Sequence, residues 1–181
     1  MGLNLSDQLV FYKSYHYNTI NVLIHSIFVP IILFVSSGLL TNLKSDLIPN
    51  DYFNASLIMS IGYSAFYLYL DLIGGLIATP ILLSSSIYFT QLTSNETIKS
   101  SINHIFIMLF IISWIVQFIG HGVFEKRAPA LLDNLVQALV LAPFFVLFEL
   151  MFLLGFRQEL KHEIDSKVEI NIQKFKESKK N

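Results

Sequence analysis

The sequence contains no cysteine and few charged residues. The lack of cysteine excludes disulfides, zinc–thiolate sites and cysteine nucleophiles, so any metal site must use nitrogen and oxygen ligands. Asp, Glu, Lys and Arg make up 14% of the 181 residues, against about 25% in an average soluble domain. The formal net charge is −1, so no overall positive field is present that would recruit nucleic acid.

What the sequence has instead is long apolar windows. Charged residues are absent from residues 14–43, 52–70, 72–95 and 100–124, and residues 134–156 contain only Glu149. A transmembrane helix needs about 20 predominantly apolar residues. A soluble bundle is disfavoured because these windows lack a polar face. The sequence therefore predicts an all-α, multi-span membrane bundle of four to five hydrophobic helices, over residues 22–41, 54–70, 72–91, 102–120 and 135–156.

Shorter elements flank this predicted bundle. The second and third helices meet at Asp71 and predict a tight helical hairpin. Ser6 and Asp7 predict a cap for a short interfacial helix over residues 7–16, whose apolar side chains are Leu9, Val10, Tyr12 and Tyr15. We expect residues 1–156 to form a single membrane-embedded catalytic domain and residues 157–181 to form a polar, helical cytosolic tail.

The positions of basic residues indicate an orientation. Seven of the twelve lie after residue 156, which places the tail in the cytosol by the positive-inside rule. The loop over residues 121–134 contains Lys126 and Arg127 and favours the same side. Five full crossings cannot place both segments there, so one segment must fail to span. Pro143 and Glu149 make residues 135–156 the candidate for a re-entrant or kinked helix.

This topology places the five histidines at different ends of the bundle and in the tail. With a cytosolic N-terminus, His16 and His25 lie at the cytosolic entrance of the first span, and the 102–120 helix returns His121 to the same surface. His104 is seventeen residues earlier on that helix, about 25 Å away. His162 lies in the tail. Topology therefore selects His16, His25 and His121.

Local sequence around these histidines allows them to meet. His16 and His25 are nine residues apart and would lie on opposite sides of one unbroken helix. Asn18 or Thr19 can cap a new helix between them.

Gln117, His121 and Glu125 follow an i, i+4, i+8 spacing and predict a polar stripe. Gly120 and Gly122 flank His121 and permit close approach of another backbone or a ligand.

Three neutral imidazoles suit iron, zinc or copper. Gln117, Asn21, Glu125 and Asp133 are available as partners that orient the rings. The alternative is that each histidine is an interfacial or capping residue, which is the commoner role for a single histidine.

The sequence resembles a family of fungal and bacterial membrane proteins in two motifs. The first runs from Tyr12 to Pro30 and contains H-x-N-x-x-N-x-x-x-H, from His16 to His25. The second runs from Trp114 to Pro129 and contains QFIGH, which ends at His121. The fungal members are endoplasmic-reticulum 2-hydroxy fatty acid dioxygenases of phytosphingosine breakdown. The resemblance indicates the yeast member or a close relative.

The resemblance implies an Fe(II)-dependent enzyme that removes one carbon from a long-chain 2-hydroxy fatty acid by α-oxidation, with O₂ as co-substrate and CO₂ as a product. Carried over position by position, His16, His25 and His121 are the motif histidines and His104 is not. Gln117 or Asn21 would orient a ligand or the substrate carboxylate. Glu125 would support the ligands or act as one, with Asp133 or water as other candidates for a fourth position.

Further expectations concern the substrate and its surroundings. Lys126 or Arg127 would meet the substrate carboxylate, and the acyl chain would lie among the apolar helices in contact with membrane lipid. The implied location is the endoplasmic reticulum membrane, with the site facing the cytosol.

Three other functions are alternatives to this one. Diiron hydroxylases and desaturases use many histidines in H-x-x-H-H-type boxes, and none of the five histidines here has that spacing. A bis-histidine haem protein for electron transfer would use His25 and His121 and leave His16 without a role. A non-enzymatic structural protein of the endoplasmic reticulum would bind no metal.

Overall fold

The computed structural model describes residues 4–44, 48–128 and 137–178, and these are helical almost throughout. Seven α-helices follow in chain order over these residues: α1 (Leu5–Tyr15), α2 (Thr19–Leu40), α3 (Ala55–Leu70), α4 (Leu72–Thr93), α5 (Glu96–Ile119), α6 (Ala142–Leu153) and α7 (Gln158–Ser178). Two π-helical segments, Gly120–Glu125 and Gln137–Leu141, follow α5 and precede α6. The predicted all-α class is confirmed.

Three helices are long and apolar enough to cross a membrane: Thr19–Leu40, Leu72–Thr93, and Glu96–Glu125 with its π-helical end. A fourth crossing is available if the bent pair Ala138–Leu153 and Gln158–Lys174 is counted as one span. The apolar helix Ala55–Leu70 is shorter, with 16 residues. At 1.5 Å per residue it measures about 24 Å, against a hydrocarbon core of about 30 Å. These helices confirm the predicted multi-span architecture.

The described residues fall into two compact units. One unit contains residues 27–116, and the other contains the described residues up to Ser26 and from Gln117 onward. The prediction of a single domain over residues 1–156 stays a prediction.

Within residues 27–116, α3 and α4 form the hairpin predicted at Asp71. The Asp71 carboxylate accepts a hydrogen bond from the Gly74 N–H at 2.7 Å, and its own N–H donates to the Tyr67 carbonyl. It therefore ends α3 and caps α4 at once. A Cβ on Gly75 would lie 2.5 Å from the Leu68 nitrogen, so the close approach requires glycine.

Polar side chains join the helices at the opposite end of this hairpin. The hydroxyls of Ser37 and Ser56 lie 2.7 Å apart, and those of Thr41 and Thr93 lie 2.8 Å apart. Asn42 and Asn103 exchange amide hydrogen bonds, which join the end of α2 to the start of α5. Interhelical hydrogen bonds of this kind help apolar helices to associate in lipid.

In the other unit, α1 begins at Leu5, two residues earlier than predicted. Asn4, and not Ser6, is its cap, because the Asn4 side chain accepts from the Ser6 N–H at 2.9 Å. The Ser6 hydroxyl instead donates to Glu163 of α7 at 2.9 Å. Both residue types favour helix caps, and the contact with α7 decides between them.

The apolar face of α1 packs against protein. Leu9, Val10 and Tyr12 are buried, and α1 contacts α7 and α6. Ile164 and Val168 of α7 are buried as well. The prediction of an interfacial surface on α1 was therefore wrong for these three side chains, because a partner helix covers them.

Helix α6 is short and heavily buried. Phe144, Phe145 and Phe148 have no exposed surface. With 12 residues, α6 is about 18 Å long and cannot cross a bilayer alone. Its axis and that of α7 differ by 115°. The predicted departure from a straight crossing agrees with this geometry, but Pro143 is not its cause.

The bend occurs after α6. Pro143 lies in the first turn of α6, where proline is tolerated because no intrahelical donor is required there. Gly155 and Arg157 both have positive φ angles, 88° and 56°, and they turn the chain into α7. Glycine adopts this left-handed conformation without the steric cost that other residues incur.

Candidate metal centre

His16 lies at the break between α1 and α2. The Asn18 side chain caps α2 by accepting the Ile20 N–H at 2.9 Å, as the sequence predicted. His16 follows the last residue of α1 and has a non-helical backbone. Its Nδ1–H donates to the Tyr12 carbonyl at 2.8 Å, and its ring stacks on the Tyr12 ring with centroids 4.1 Å apart. These two contacts fix the orientation of the imidazole.

His25 lies in the second turn of α2 and repeats the same arrangement. Its Nδ1–H donates to the Asn21 carbonyl at 3.0 Å, four residues earlier. A histidine that donates from Nδ1 to a carbonyl holds its tautomer and leaves Nε2 as the basic atom. Both rings, His16 and His25, therefore carry their proton on Nδ1 and leave Nε2 unprotonated.

His121 lies in the π-helical segment Gly120–Glu125 at the end of α5. This segment is closed by Lys126, which has φ 52° and whose N–H reaches the His121 carbonyl. A Cβ on Gly120 would lie 2.3 Å from the Asn21 Oδ1. Glycine at this position lets the π-helical segment approach α2 closely, as the sequence predicted. The same prediction was wrong for Gly122, where an added Cβ would meet nothing within 4 Å.

The three histidine rings lie against one another. Their centroids are 4.4 Å apart for His16 and His25, 4.9 Å for His16 and His121, and 4.8 Å for His25 and His121. One nitrogen from each ring lies within 4.8 Å of the other two. All three residues are buried. The structure thus brings together the three histidines that topology selected.

The chemistry of the cluster fits a metal ion held by nitrogen. His16 Nε2 and His121 Nδ1 are buried and make no hydrogen bond within the described residues. Buried ring nitrogens are rarely left without a partner in native structures. Burial, followed by the neighbouring His25, holds the pKa of His16 well below its usual range. The His16 ring is therefore neutral near pH 7, as a metal ligand requires.

Glu125 joins two of the segments that carry the histidines. Its Oε1 accepts the Asn18 N–H at 2.8 Å and the Asn21 Nδ2–H at 3.3 Å, and its backbone carbonyl accepts the Tyr17 hydroxyl at 3.3 Å. It is almost fully buried, and its Oε2 makes no hydrogen bond among the described residues. Glu125 does not belong to the group of clustered ligand atoms. These contacts favour a role in positioning.

Gln117 lies one turn before His121 and is buried. Its Nε2 makes no hydrogen bond within the described part of the chain. Gln117, His121 and Glu125 do form a buried polar stripe, but not on one α-helix as predicted. The change from α-helix to π-helix at Gly120 alters the winding between them.

The two cations after the π-helical segment have different surroundings. Arg127 donates from Nη1 to the Ser14 carbonyl at 2.8 Å, and its guanidinium carbon lies 3.4 Å from the centre of the Tyr15 ring. Lys126 is exposed. Both line a cavity of about 440 Å³ together with His121, Phe118, Gly122 and Ala128.

The remaining candidates lie elsewhere. His104 on α5 and His162 on α7 are exposed and are not part of the cluster. Asp133 lies outside the described residues. The sequence did not indicate that the Tyr12 carbonyl, the Ser14 carbonyl and Tyr17 support the cluster, because backbone acceptors carry no residue-specific signal.

Comparison with known proteins agrees with the resemblance in the two motifs. Residues 3–154 match the model of the family described as 2-hydroxy-palmitic acid dioxygenase Mpo1-like. The chain is 48% identical over 170 residues to the 2-hydroxy-palmitic acid dioxygenase MPO1 of Saccharomyces cerevisiae, covering 93% of this chain and 91% of the yeast protein. No solved structure matches. The chain therefore belongs to the Mpo1-like family and is a close relative of the yeast dioxygenase.

Proposed function

We propose that this protein is an Fe(II)-dependent dioxygenase that shortens long-chain 2-hydroxy fatty acids by one carbon and releases CO₂. The observation that carries the proposal is the buried cluster of His16, His25 and His121, whose ligand atoms lie within 4.8 Å of one another. Family membership supplies the substrate class, since the yeast relative is named a 2-hydroxy-palmitic acid dioxygenase.

The stoichiometry of the reaction is consistent with a site that holds one metal ion and no other cofactor. R–CH(OH)–COOH and O₂ give R–COOH, CO₂ and H₂O, in which all atoms balance. The carbon–carbon bond to the carboxyl group breaks, and the substrate itself supplies all four electrons that reduce O₂. No further reductant and no second organic co-substrate are required.

Iron is the metal that we assign to the cluster. Three neutral imidazoles leave open coordination positions on an octahedral ion. When held by His16, His25 and His121, Fe(II) would supply the redox chemistry that activates O₂. The absence of cysteine from the chain leaves only nitrogen and oxygen ligands for this ion.

The protein residues position these reactants. The Tyr12 and Asn21 carbonyls hold the His16 and His25 rings in one tautomer. We assign Glu125 a positioning role, because it fixes Asn18 and Asn21 at the start of α2. Gln117, whose buried amide nitrogen makes no hydrogen bond among the described residues, is assigned to orient the substrate carboxylate or a ligand. Asn21 is assigned to hold Glu125 and the His25 turn together.

We further propose that the protein resides in the endoplasmic reticulum membrane with this site facing the cytosol. The clustering of basic residues at Lys126, Arg127 and α7 supports that orientation by the positive-inside rule. The acyl chain of the substrate would remain in contact with the apolar helices and membrane lipid. The substrate therefore need not leave the bilayer.

The experiment that tests the function uses purified protein loaded anaerobically with Fe(II). We expect 2-hydroxyhexadecanoic acid and O₂ to yield pentadecanoic acid and CO₂ in equal amounts, with one O₂ consumed per turnover and no reductant added. Mass spectrometry and an oxygen electrode measure these quantities. A hydroxylated product that keeps all sixteen carbons, or no O₂ consumption by metal-loaded protein, would contradict the proposal.

A further inference from the structure

Arg127 is held in a defined position beside the histidine cluster. Lys126 adopts a left-handed conformation at the end of the π-helical segment, and Arg127 follows it directly. The Arg127 guanidinium lies 3.4 Å from the centre of the Tyr15 ring and donates to the Ser14 carbonyl. Tyr15 directly precedes His16. Arg127 is therefore fixed against the same segment that carries the first histidine.

The Arg127 side chain shares a cavity with one of the three clustered histidines. Arg127 and His121 are both among the residues that line the 440 Å³ cavity at the end of α5. Arg127 therefore shares a cavity with one clustered histidine and stacks on the residue that precedes another.

A metal cation held by the histidines and the Arg127 guanidinium would together attract an anion into the cavity. The carboxylate of a 2-hydroxy acid is such an anion, because one of its oxygens can contact a metal while the other accepts hydrogen bonds. A guanidinium offers five N–H donors in a rigid fork that matches a carboxylate. Stacking on Tyr15 limits its motion before the substrate arrives.

We propose that Arg127 recognises the carboxylate of the substrate in the cavity beside His121 and thereby sets specificity for 2-hydroxy acids over neutral 2-hydroxy lipids. This inference rests on the proposed function and adds a specificity residue to it. Lys126 lines the same cavity but is exposed. It contributes a general positive charge that does not define the position of the carboxylate.

The experiment compares binding to two lipids by metal-loaded protein under anaerobic conditions, where no turnover occurs. The ligands are 2-hydroxyhexadecanoic acid and 1,2-hexadecanediol, which has a hydroxymethyl group in place of the carboxylate. We expect Arg127→Gln to raise the Kd for the acid by at least about tenfold, or 1.4 kcal/mol, and to change the Kd for the diol less than about twofold. Arg127→Lys keeps the charge and one donor for Ser14, and we expect an intermediate loss for the acid.

Lys126→Gln is the matched control, since it removes one positive charge from the same cavity. We expect it to raise the Kd for the acid by no more than about threefold, with a loss that disappears as salt is increased. An equal loss in Lys126→Gln and Arg127→Gln would overturn the assignment, because general electrostatic attraction would then explain binding.

The metal content of each variant distinguishes recognition of the carboxylate from a purely structural role of Arg127. We expect Arg127→Gln and Arg127→Lys to bind metal as the wild type does. Loss of metal from both, or parallel losses for acid and diol, would show that Arg127 only braces Tyr15 and would overturn the proposal. If the wild type binds the acid through Arg127 but forms no shortened product, the proposed function fails and the carboxylate site stands.

Discussion

The residues around the histidines act mainly through backbone groups. His16 and His25 each donate from Nδ1 to a carbonyl four residues earlier. Glu125 accepts the N–H of Asn18, which also caps α2. A few hydrogen bonds therefore place two of the imidazole rings, and single substitutions should alter the cluster while the helices stay folded.

The first prediction concerns Glu125. Glu125→Ala removes the acceptor for Asn18 and Asn21, so we expect the metal affinity to fall by roughly 10–100-fold, as for other residues that orient ligands. Metal titration followed by circular dichroism measures affinity and helix content together. Glu169→Ala, at an exposed position of α7, is the control. Unchanged affinity in Glu125→Ala would contradict the positioning role.

The second prediction uses the two glycines beside His121. A Cβ on Gly120 would lie 2.3 Å from Asn21 Oδ1, whereas a Cβ on Gly122 would meet nothing within 4 Å. We expect Gly120→Ala to destabilise the protein by about 1–3 kcal/mol through overpacking and to weaken metal binding. Gly122→Ala should have little effect on either. Thermal unfolding in detergent measures the stability, and equal effects of the two variants would refute the close approach to α2.

At the scale of elements, sequence predicted the apolar helices and failed at two kinds of contact. The charge-free windows located α2 to α5 to within a few residues at most ends, because lipid and water impose opposite requirements on side chains. The packed face of α1 was mistaken for an interfacial one. An apolar face is equally satisfied by lipid or by α7, and only the partner helix distinguishes them.

Part of the histidine cluster could be predicted from the sequence. Topology places His16, His25 and His121 at one end of the bundle, and the cap at Asn18 separates the first two. The π-helical winding at His121 was not predictable. Gly120 of this segment packs against Asn21, and sequence alone does not reveal a contact between residues almost one hundred positions apart in the chain.

The third prediction concerns the docking of α7 on α1. Partial burial acts to raise the pKa of Asp165, but hydrogen bonds from Lys13 and Lys161 outweigh it and leave the pKa below its usual value. A carboxyl whose pKa is lowered on folding stabilises the folded state above its unfolded pKa of about 3.9. That stabilisation is lost as the pH falls through the lower folded pKa. We therefore expect α7 to loosen from α1 only below about pH 4.

Hydrogen exchange of α7, corrected for the intrinsic pH dependence, measures this loosening. Asp165→Asn should lower the protection of α7 at pH 7 and reduce its further loss in acid. Glu163 contributes with the same sign, since hydrogen bonds from Lys167 and Ser6 lower its pKa. Identical acid sensitivity in Asp165→Asn and the wild type would show that this carboxylate has no part in docking.

At the scale of the whole molecule, the few charges specify an orientation. Basic residues concentrate in the segment after the π-helical turn and in α7, and most apolar helices carry none. The cysteine-free chain makes the orientation measurable, because single cysteines can be introduced without background. The fourth prediction uses two exposed positions, Ile170 on α7 and Tyr52 before α3.

In sealed microsomes, we expect a membrane-impermeant maleimide to label the Ile170→Cys variant without detergent. The Tyr52→Cys variant should be labelled only after the membrane is permeabilised, because an odd number of crossings separates it from the N-terminal segment. Labelling of Tyr52→Cys in intact vesicles, with protection of Ile170→Cys, would reverse the proposed orientation. The cytosolic site would then have to be abandoned.

The central claim is that three histidines hold one iron, and metal analysis of anaerobically purified protein tests it most directly. We predict about one iron per chain in the wild type and in His104→Ala, and loss of iron in His16→Ala, His25→Ala and His121→Ala, each with its helix content preserved. Iron retained by any of these three variants would remove that histidine from the ligand set. A metal-free wild type under anaerobic conditions, or a Soret band that reveals haem, would contradict the account as a whole.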